Sequence, residues 1–555
     1  MKKSPFSLKK NITFLFVLVV FVFVLFHTKY YEFEIREKDI DSSLIGLTIN
    51  GSSTNTFPNK DSGYAVDSIQ CDKDATGVWD YENWGLKVRG VHQSRTKCQI
   101  NFVSKYTENI LNGTDPVLKD GLIPVTIEND GTVKKASLGW EWYDYETQRW
   151  ANAVILNNES EVYYDGDVIP EEAIESYFVW IPRYKYKLFD QNNGNYTGLT
   201  TIENKPQVIE VIFGTDTTTD TSSSCTSPLV SGASGNCSVG KYMTHPAFTS
   251  FGTNGMWVGK FETGYKGATT REEAQKNENN SSKVQIKPDV YSWRKIQVAN
   301  AYLSSSSYKR EMDSHMMKNT EWGAVAYLQH SRYGSQTSVR VNNRSDYRTG
   351  YASFNELTIG FTGTNISCNE NPTACNEYGT SDNITKSWNT EIGVKASTTG
   401  NISGIYDMSG GAWEYVMGVM LDSKNEKPCS GKDINNSGFN GTYCSGTNEK
   451  TDGVDFPESK YYDLYSYSMI DEDYQRRILG DATGEMGPFS NTKYQNQTRQ
   501  IGSWYDDEAW FVHFGWPWFF RGGLFTMGKS SGVFGFLPHE GHANSDVGFR
   551  IVLAF

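Results

Sequence analysis

Two glycine-bearing blocks toward the end of the chain constrain its fold more than any other feature. The first is Gly404-Ile405-Tyr406-Asp407-Met408-Ser409-Gly410-Gly411-Ala412-Trp413-Glu414-Tyr415-Val416. The second is Phe520-Arg521-Gly522-Gly523, followed by Gly548-Phe549-Arg550-Ile551-Val552-Leu553. Gly410 and Gly411 permit positive φ, so the backbone can turn there while Trp413 fills the core beneath the turn.

Together these blocks resemble the signature of the formylglycine-generating enzyme (sulfatase-modifying factor) family, whose members read G-L-Y-D-M-x-G-N-V-W-E-W, then R-G-G-S-W, then G-F-R. The order agrees, and Gly548-Phe549-Arg550 lies close to the C-terminus as it does in that family. The resemblance implies a C-type-lectin-like fold. The family's oxidase members carry two reactive cysteines between the last two blocks, whereas residues 524–547 contain none. Thiolate is both nucleophile and soft ligand in such copper chemistry, and no neighbouring serine or methionine replaces it. In the family the Asn of G-N-V-W-E and the Glu after the Trp help to bind calcium. Gly411 stands at the Asn position and only Glu414 remains, so no cofactor is expected and calcium is the one metal left open.

Lys2, Lys3, Lys9 and Lys10 precede an apolar run from Ile12 to Phe26, interrupted only by Thr13. Lysines on the leading side put the N-terminus in the cytoplasm and the bulk of the chain outside. Lys29 can snorkel and Tyr30 and Tyr31 can sit at the interface, which extends the run toward the ~20 residues of a span. No small-x-small cleavage signal follows, so the expectation is a single-pass, uncleaved membrane anchor. The eight cysteines fit that address: Cys71 with Cys98, Cys225 with Cys237, Cys368 with Cys375, and Cys429 with Cys444 are sequence-local pairs. An even count in a translocated chain reads as disulfides, with nearest-neighbour pairing the simplest arrangement.

A length of 555 residues allows about three domains. A net charge of -13 argues against a nucleic-acid partner. Aromatic content of 14% with 51 glycines suits short strands joined by many turns. The expected architecture is α+β: residues 1–36 as cytoplasmic tail and transmembrane helix, 37–120 as a small all-β, sandwich-like domain, and 121–555 as a formylglycine-generating-enzyme-like, C-type-lectin-like domain with long loop insertions. Within the first β domain Trp79 and Trp84 read as core or as a carbohydrate contact, core being the commoner use. Pro170 with Glu171 and Glu172 predicts a short helix. Alternation of Tyr184, Tyr186 and Leu188 against Arg183, Lys185 and Lys187 predicts a strand with one wet face. Asn319 or Thr320 can cap a helix over 321–330 with Trp322, Val325 and Ala326 on one face. Residues 331–403 and 423–455 read as long loops.

Zinc catalysis is not supported at His539-Glu540-Gly541-His542, because the protease motif needs histidines four apart on a helix and Gly541 argues for a loop. No Ser lies in a nucleophile elbow. Asp190-x-Asn192-Asn193-Gly194 lacks the distal acid of a calcium loop. Residues 511–536 hold nine Phe or Trp in 26, well above the chain average, between two scaffold blocks. A chemically mixed stretch on a rigid frame suits ligand binding. It also resembles the variable C-terminal region of retroelement-diversified proteins, which use the same lectin-like fold. The expected surface comprises Trp516, Trp518, Leu524, Phe525, Met527, Lys529, Phe534, Phe536, His539, Glu540, His542 and Asp546. The expected function is ligand binding or display without catalysis by a protein anchored in the cell membrane, its partner an unknown protein or glycan. The alternatives are an oxidoreductase related to formylglycine generation and a structural or phage-derived attachment module.

Overall fold

The computed structural model describes short stretches between residues 32 and 104, then 115–138, 142–187, 209–214, 242–339, 388–431 except 392, 437–469 except 447, 477–483, 505, 507–524, 527 and 530–555. The chain divides into two compact units: Met1–Asn109 with Ala136–Trp142, and Ile110–Lys135 with Tyr143–Phe555.

The first unit is built from strands alone among its described residues. A three-stranded sheet orders Glu32–Ile35, Gly85–Arg89 and Thr76–Asp80, and a four-stranded sheet orders Ser52–Thr54, Ile45–Ile49, Cys98–Ser104 and Tyr64–Cys71. One core joins them: Leu86 and Val88 from the first sheet meet Leu47, Ile100 and Phe102 from the second. Trp79 is the hub, edge-on to Phe57 at 4.7 Å and to Phe102 at 5.0 Å. Trp84 packs on the same cluster and its indole N–H donates to Pro58 O at 2.7 Å. Both tryptophans therefore face inward. Cys71 and Cys98 are cross-strand neighbours bridged by a disulfide, with Cα atoms 4.1 Å apart.

The second unit rests on two larger sheets. The first is antiparallel and eight-stranded, in the order Val168–Ile169, Val133–Lys135, Ile123–Ile127, Asn152–Leu156, Ile174–Pro182, Gly255–Gly259, Ile551–Leu553 and His315–Met316. The chain's last strand thus lies inside this sheet, flanked on both sides. In the second sheet, Asp463–Tyr465, Trp413–Met420, Trp518–Gly522 and Gly532–His539 follow one another, and Val547–Phe549 adds to Trp413–Met420 in parallel. A bond from Met417 N to Met317 O, 2.8 Å, connects the two sheets.

The fold is β-rich, which corrects the α+β expectation: strand accounts for 36% against 14% helix, with three helices among the described residues. Aromatic and β-branched side chains, frequent along the chain, favour the pleated alternative to helix. Pro170 precedes only a single 3-10 turn, Glu171–Ala173. The main helix, Asn319–Gln329, differs from expectation in being buried on every side. Its polar first turn survives burial because each group is bonded: Glu321 accepts from Lys318 N at 2.8 Å and contacts His315 Nε2 at 3.0 Å, and Asp463 accepts from Thr320 N at 2.7 Å. Arg183 is likewise buried, against the wet-face expectation, and donates to Phe248 O and Thr253 O, both at 3.1 Å.

Cys429 and Cys444 form a second disulfide, Cα atoms 5.0 Å apart, within a small sheet of Cys429–Gly431, Gly441–Tyr443 and Glu449–Lys450. This sheet occupies part of the 423–455 stretch expected as loop. The other two expected cysteine pairs, the Ile12–Phe26 anchor, the Lys187 side chain, Leu188 and the Asp190–Gly194 segment lie outside what the structure describes. Among the described residues, no helix is long and apolar enough to cross a membrane.

Candidate functional site: the loops between two buried arginines

The motif blocks form two buried anchors. Around the first, Asp407, Gly410 and Gly411 take φ of 62°, 85° and 77°, which turns the chain back into strand Trp413–Met420. An Asp tolerates this left-handed region better than most residues, and the glycines pay no steric cost there. Trp413 is buried beneath the turn, as expected. Glu414, one residue on, points into the core and meets Arg550: Nε–Oε2 is 2.9 Å and Nη2–Oε1 2.5 Å. Arg550 donates further to Gly259 O at 2.7 Å and to Tyr406 O at 3.0 Å. The guanidinium therefore ties the last strand, strand Gly255–Gly259 of the large sheet and the glycine turn together.

Two more buried carboxyls stand beside this pair. Asp407 accepts from Glu262 N at 3.2 Å, and Glu262 accepts from Ala412 N at 3.2 Å and from the Ser292 hydroxyl. Three carboxyls around one guanidinium cannot all ionise cheaply out of water. Burial, then the neighbouring Asp407 and Glu414, push the Glu262 carboxyl well above its usual range. Burial also pushes Asp407 up to about 7, against the pull of Arg550, and raises Glu414 despite its partner. Lys260, also buried, is cradled by Asn152 Oδ1 at 2.8 Å, Ile402 O at 2.7 Å and Gly404 O at 2.8 Å, and burial holds its amine well below the usual lysine range. Sequence reading missed Glu262, Asp407 and Lys260 as a cluster. The available signal was an acid and a lysine flanking Phe261 directly after an apolar strand.

The second anchor, Arg521, makes no ion pair among the described residues. It donates to Asn319 Oδ1 at 3.0 Å, Asp481 O at 3.1 Å and Ala482 O at 3.3 Å, and lies over the Trp322 and Phe536 rings. Burial lowers it to about 10. Neither anchor reaches solvent, so neither can touch a substrate.

Between the anchors the expected surface splits. Trp518, Phe534 and Phe536 are core, which corrects their assignment as ligand contacts. Trp518 stacks on Phe456 and Phe439, and Phe536 packs on Phe511 and Phe519. An eight-residue strand buried on both faces needs apolar side chains at successive positions, so aromatic density there reports packing. Phe525 and Lys529 lie outside the described residues. Trp516, Leu524, Met527, His539, Glu540, His542 and Asp546 are half-buried.

Of these, His539, Glu540 and His542 come together. His539 ends strand Gly532–His539, opposite Trp518. Its Nδ1 lies 2.5 Å from the Tyr415 hydroxyl, which also donates to His542 O at 2.8 Å. The two imidazoles are 4.7 Å apart, and Glu540 Oε2 lies 3.1 Å from His542 Nδ1. Phe520 lies beneath His539 at 5.2 Å and against Trp413 at 4.5 Å, an aromatic floor. Gly541 has φ of 91°, and a Cβ there would come 2.7 Å from Trp518 Cδ1, so the chain can reverse only through glycine. Burial, then the nearby His542, lower His539 to about 3, so it is neutral at physiological pH. Trp516 belongs to a separate knuckle, edge-on to Trp510 at 5.3 Å and beside His513 at 5.3 Å.

Among the described residues, no group of three or more His, Cys, Asp or Glu side chains could hold a metal ion. Glu414, the position that the resemblance associates with calcium, is instead taken up by Arg550. No family model matches this chain, and no curated protein matches it.

Proposed function

We propose that the chain is a ligand-binding protein of the cell surface, related to formylglycine-generating enzymes but without their chemistry, which binds through the loops between Arg521 and Arg550. The observation that carries this reading is the His539, Glu540 and His542 group, half-buried on a fixed aromatic floor. A neutral imidazole, a carboxylate and a second imidazole on rigid aromatics offer polar discrimination over apolar contact, the usual composition of a small recognition site. Both ends of the loop are fixed, by the Trp518–His539 pairing and by strand Val547–Phe549. Such preorganisation lowers the entropy cost of binding.

The N-terminal apolar run supports an anchor in the cell membrane with the bulk of the chain outside, and the ligand is a protein or a glycan. The test is a glycan array and a surface-protein array probed with the wild type and with His539→Ala, Glu540→Ala and His542→Ala combined. Loss of a wild-type signal with unchanged thermal unfolding supports the site. A signal that survives the triple change puts the ligand elsewhere. Conversion of a sulfatase-type cysteine peptide to the aldehyde would end the binding reading altogether.

The burial of Trp518, Phe534 and Phe536 favours a second reading, a structural attachment module whose aromatics are packing alone. Absence of any array signal, with the full chain retained at the cell surface, selects it.

A further inference from the structure

Only five large hydrophobic side chains are exposed among the described residues, and three of them, Val162 at 73%, Tyr164 at 49% and Val168 at 54%, lie within seven residues of each other. They sit on an ordered loop. Asn157 N donates to Ala173 O at 2.8 Å and Asn157 Nδ2 to Glu172 O at 2.9 Å, which closes its base. A turn closes its tip: Asp167 N donates to Tyr164 O at 2.8 Å, and Tyr164 N to the Asp167 carboxylate at 2.7 Å. A loop so well bonded gains nothing in folding from apolar side chains turned to water.

The loop runs into Val168–Ile169, the outer strand of the eight-stranded sheet, paired on one side with Val133–Lys135. Proteins usually blunt such an edge with lysine or proline on its face. Residues 157–169 carry four acids and no Lys or Arg. Glu159 and Asp165 are answered by Lys309 and Lys135. Among the described residues Glu161, Asp167 and, beside the strand, Glu172 have no lysine or arginine within ion-pair distance, and they leave the rim negative. A second copy would bring the same acidic rim against itself on a chain of net charge -13, which like-charge repulsion opposes.

We propose that this edge takes an extended cationic segment of a partner protein, which adds a strand beside Val168–Ile169, sets apolar side chains on Val162, Tyr164 and Val168, and sets lysines or arginines against Glu161, Asp167 and Glu172. Main-chain pairing supplies affinity in this mode and alternate side chains supply specificity. The surface is independent of the histidine loop, so its failure and that of the proposed function are separable.

The test uses the purified full chain and a fluorescein-labelled peptide of alternating lysine and valine, followed by anisotropy. Controls are a glutamate–valine peptide and a lysine–glycine peptide of the same length and charge. Binding at least tenfold tighter than either control is expected, weakened several-fold in high salt. Val168→Asp with Tyr164→Asp should reduce it at least tenfold, and Glu161→Lys with Glu172→Lys should transfer preference to the glutamate–valine peptide. Equal binding of the lysine–glycine peptide would reduce the surface to charge alone and overturn the proposal. So would indifference to both pairs of substitutions, or sedimentation as a dimer that Val168→Asp dissociates.

Discussion

Arg550 and Arg521 are both fully buried, both come from short glycine-bearing motifs, and are neutralised in opposite ways. Arg550 faces the Glu414 carboxylate with two further acids at hand, whereas Arg521 is surrounded by main-chain carbonyls, an asparagine and two aromatic rings. A guanidinium with five donors in a fixed fork can be satisfied either way. The carboxylate solution concentrates charge and makes that half of the domain sensitive to proton uptake. The carbonyl solution distributes partners over Asp481, Ala482 and Val533, and sensitivity there is to shape.

The largest expected effect is therefore at Glu414. Glu414→Ala leaves Arg550 buried without its partner and should cost about 3–5 kcal/mol in urea unfolding, whereas Glu414→Leu with Arg550→Met should cost clearly less. Equal losses for the single and double variants would mean that the pair is not the unit holding the last strand. Next is Arg521→Met, which keeps the aliphatic stem but orphans Asn319 and the carbonyls; about 2–3 kcal/mol is expected, with only weak dependence on pH. A steep pH dependence in that variant would erase the contrast between the two anchors.

Titration sharpens the comparison further. Asp407, raised to about 7, keeps its proton in the native state after the unfolded chain has lost it, so its effect is a fall in stability as pH rises between about 4 and 7. His539 and His245, each lowered by burial to about 3, stay neutral in the native state while the unfolded chain takes up protons below about 6.5. Their effect has the opposite sign: stability is lost as pH falls from about 6.5 toward 3. Asp407→Asn, which retains an acceptor for Glu262 N and tolerates the left-handed backbone, should flatten the upper limb and leave the lower one. Urea midpoints across pH 4 to 8 read this directly, and superposable curves for variant and wild type would remove Asp407 from the account. The smallest effect on folding belongs to His542→Ala, a half-exposed change expected to cost less than about 0.5 kcal/mol while weakening ligand capture.

The same two anchors mark the limits of reading the chain directly. The glycine turn and the buried Trp413 were legible because each follows from local chemistry: positive φ needs glycine or a short polar residue, and a large ring beside such a turn seeks the core. The pairing of Cys71 with Cys98 and of Cys429 with Cys444 followed from proximity in sequence. The partners of the arginines were not legible. Glu414 lies 136 positions before Arg550 and Asn319 lies 202 before Arg521, and nothing in either interval announces a contact. The aromatic segment misled for a related reason, since the same side chains serve a doubly buried strand and an exposed binding face.

What the sequence by itself determined is the set of positions where the backbone must turn, which side chains could not remain in water, and the absence of cysteine between the last two motif blocks. Those are properties of single residues and short windows. Only the tertiary structure decided that Trp518, Phe534 and Phe536 are core while His539, Glu540 and His542 meet at the surface, that the fold is β-rich, and that three carboxyls converge on one guanidinium. Each of these depends on which strand lies on either side, and strand order is set by burial summed over both sheets at once, a quantity no short window of sequence contains.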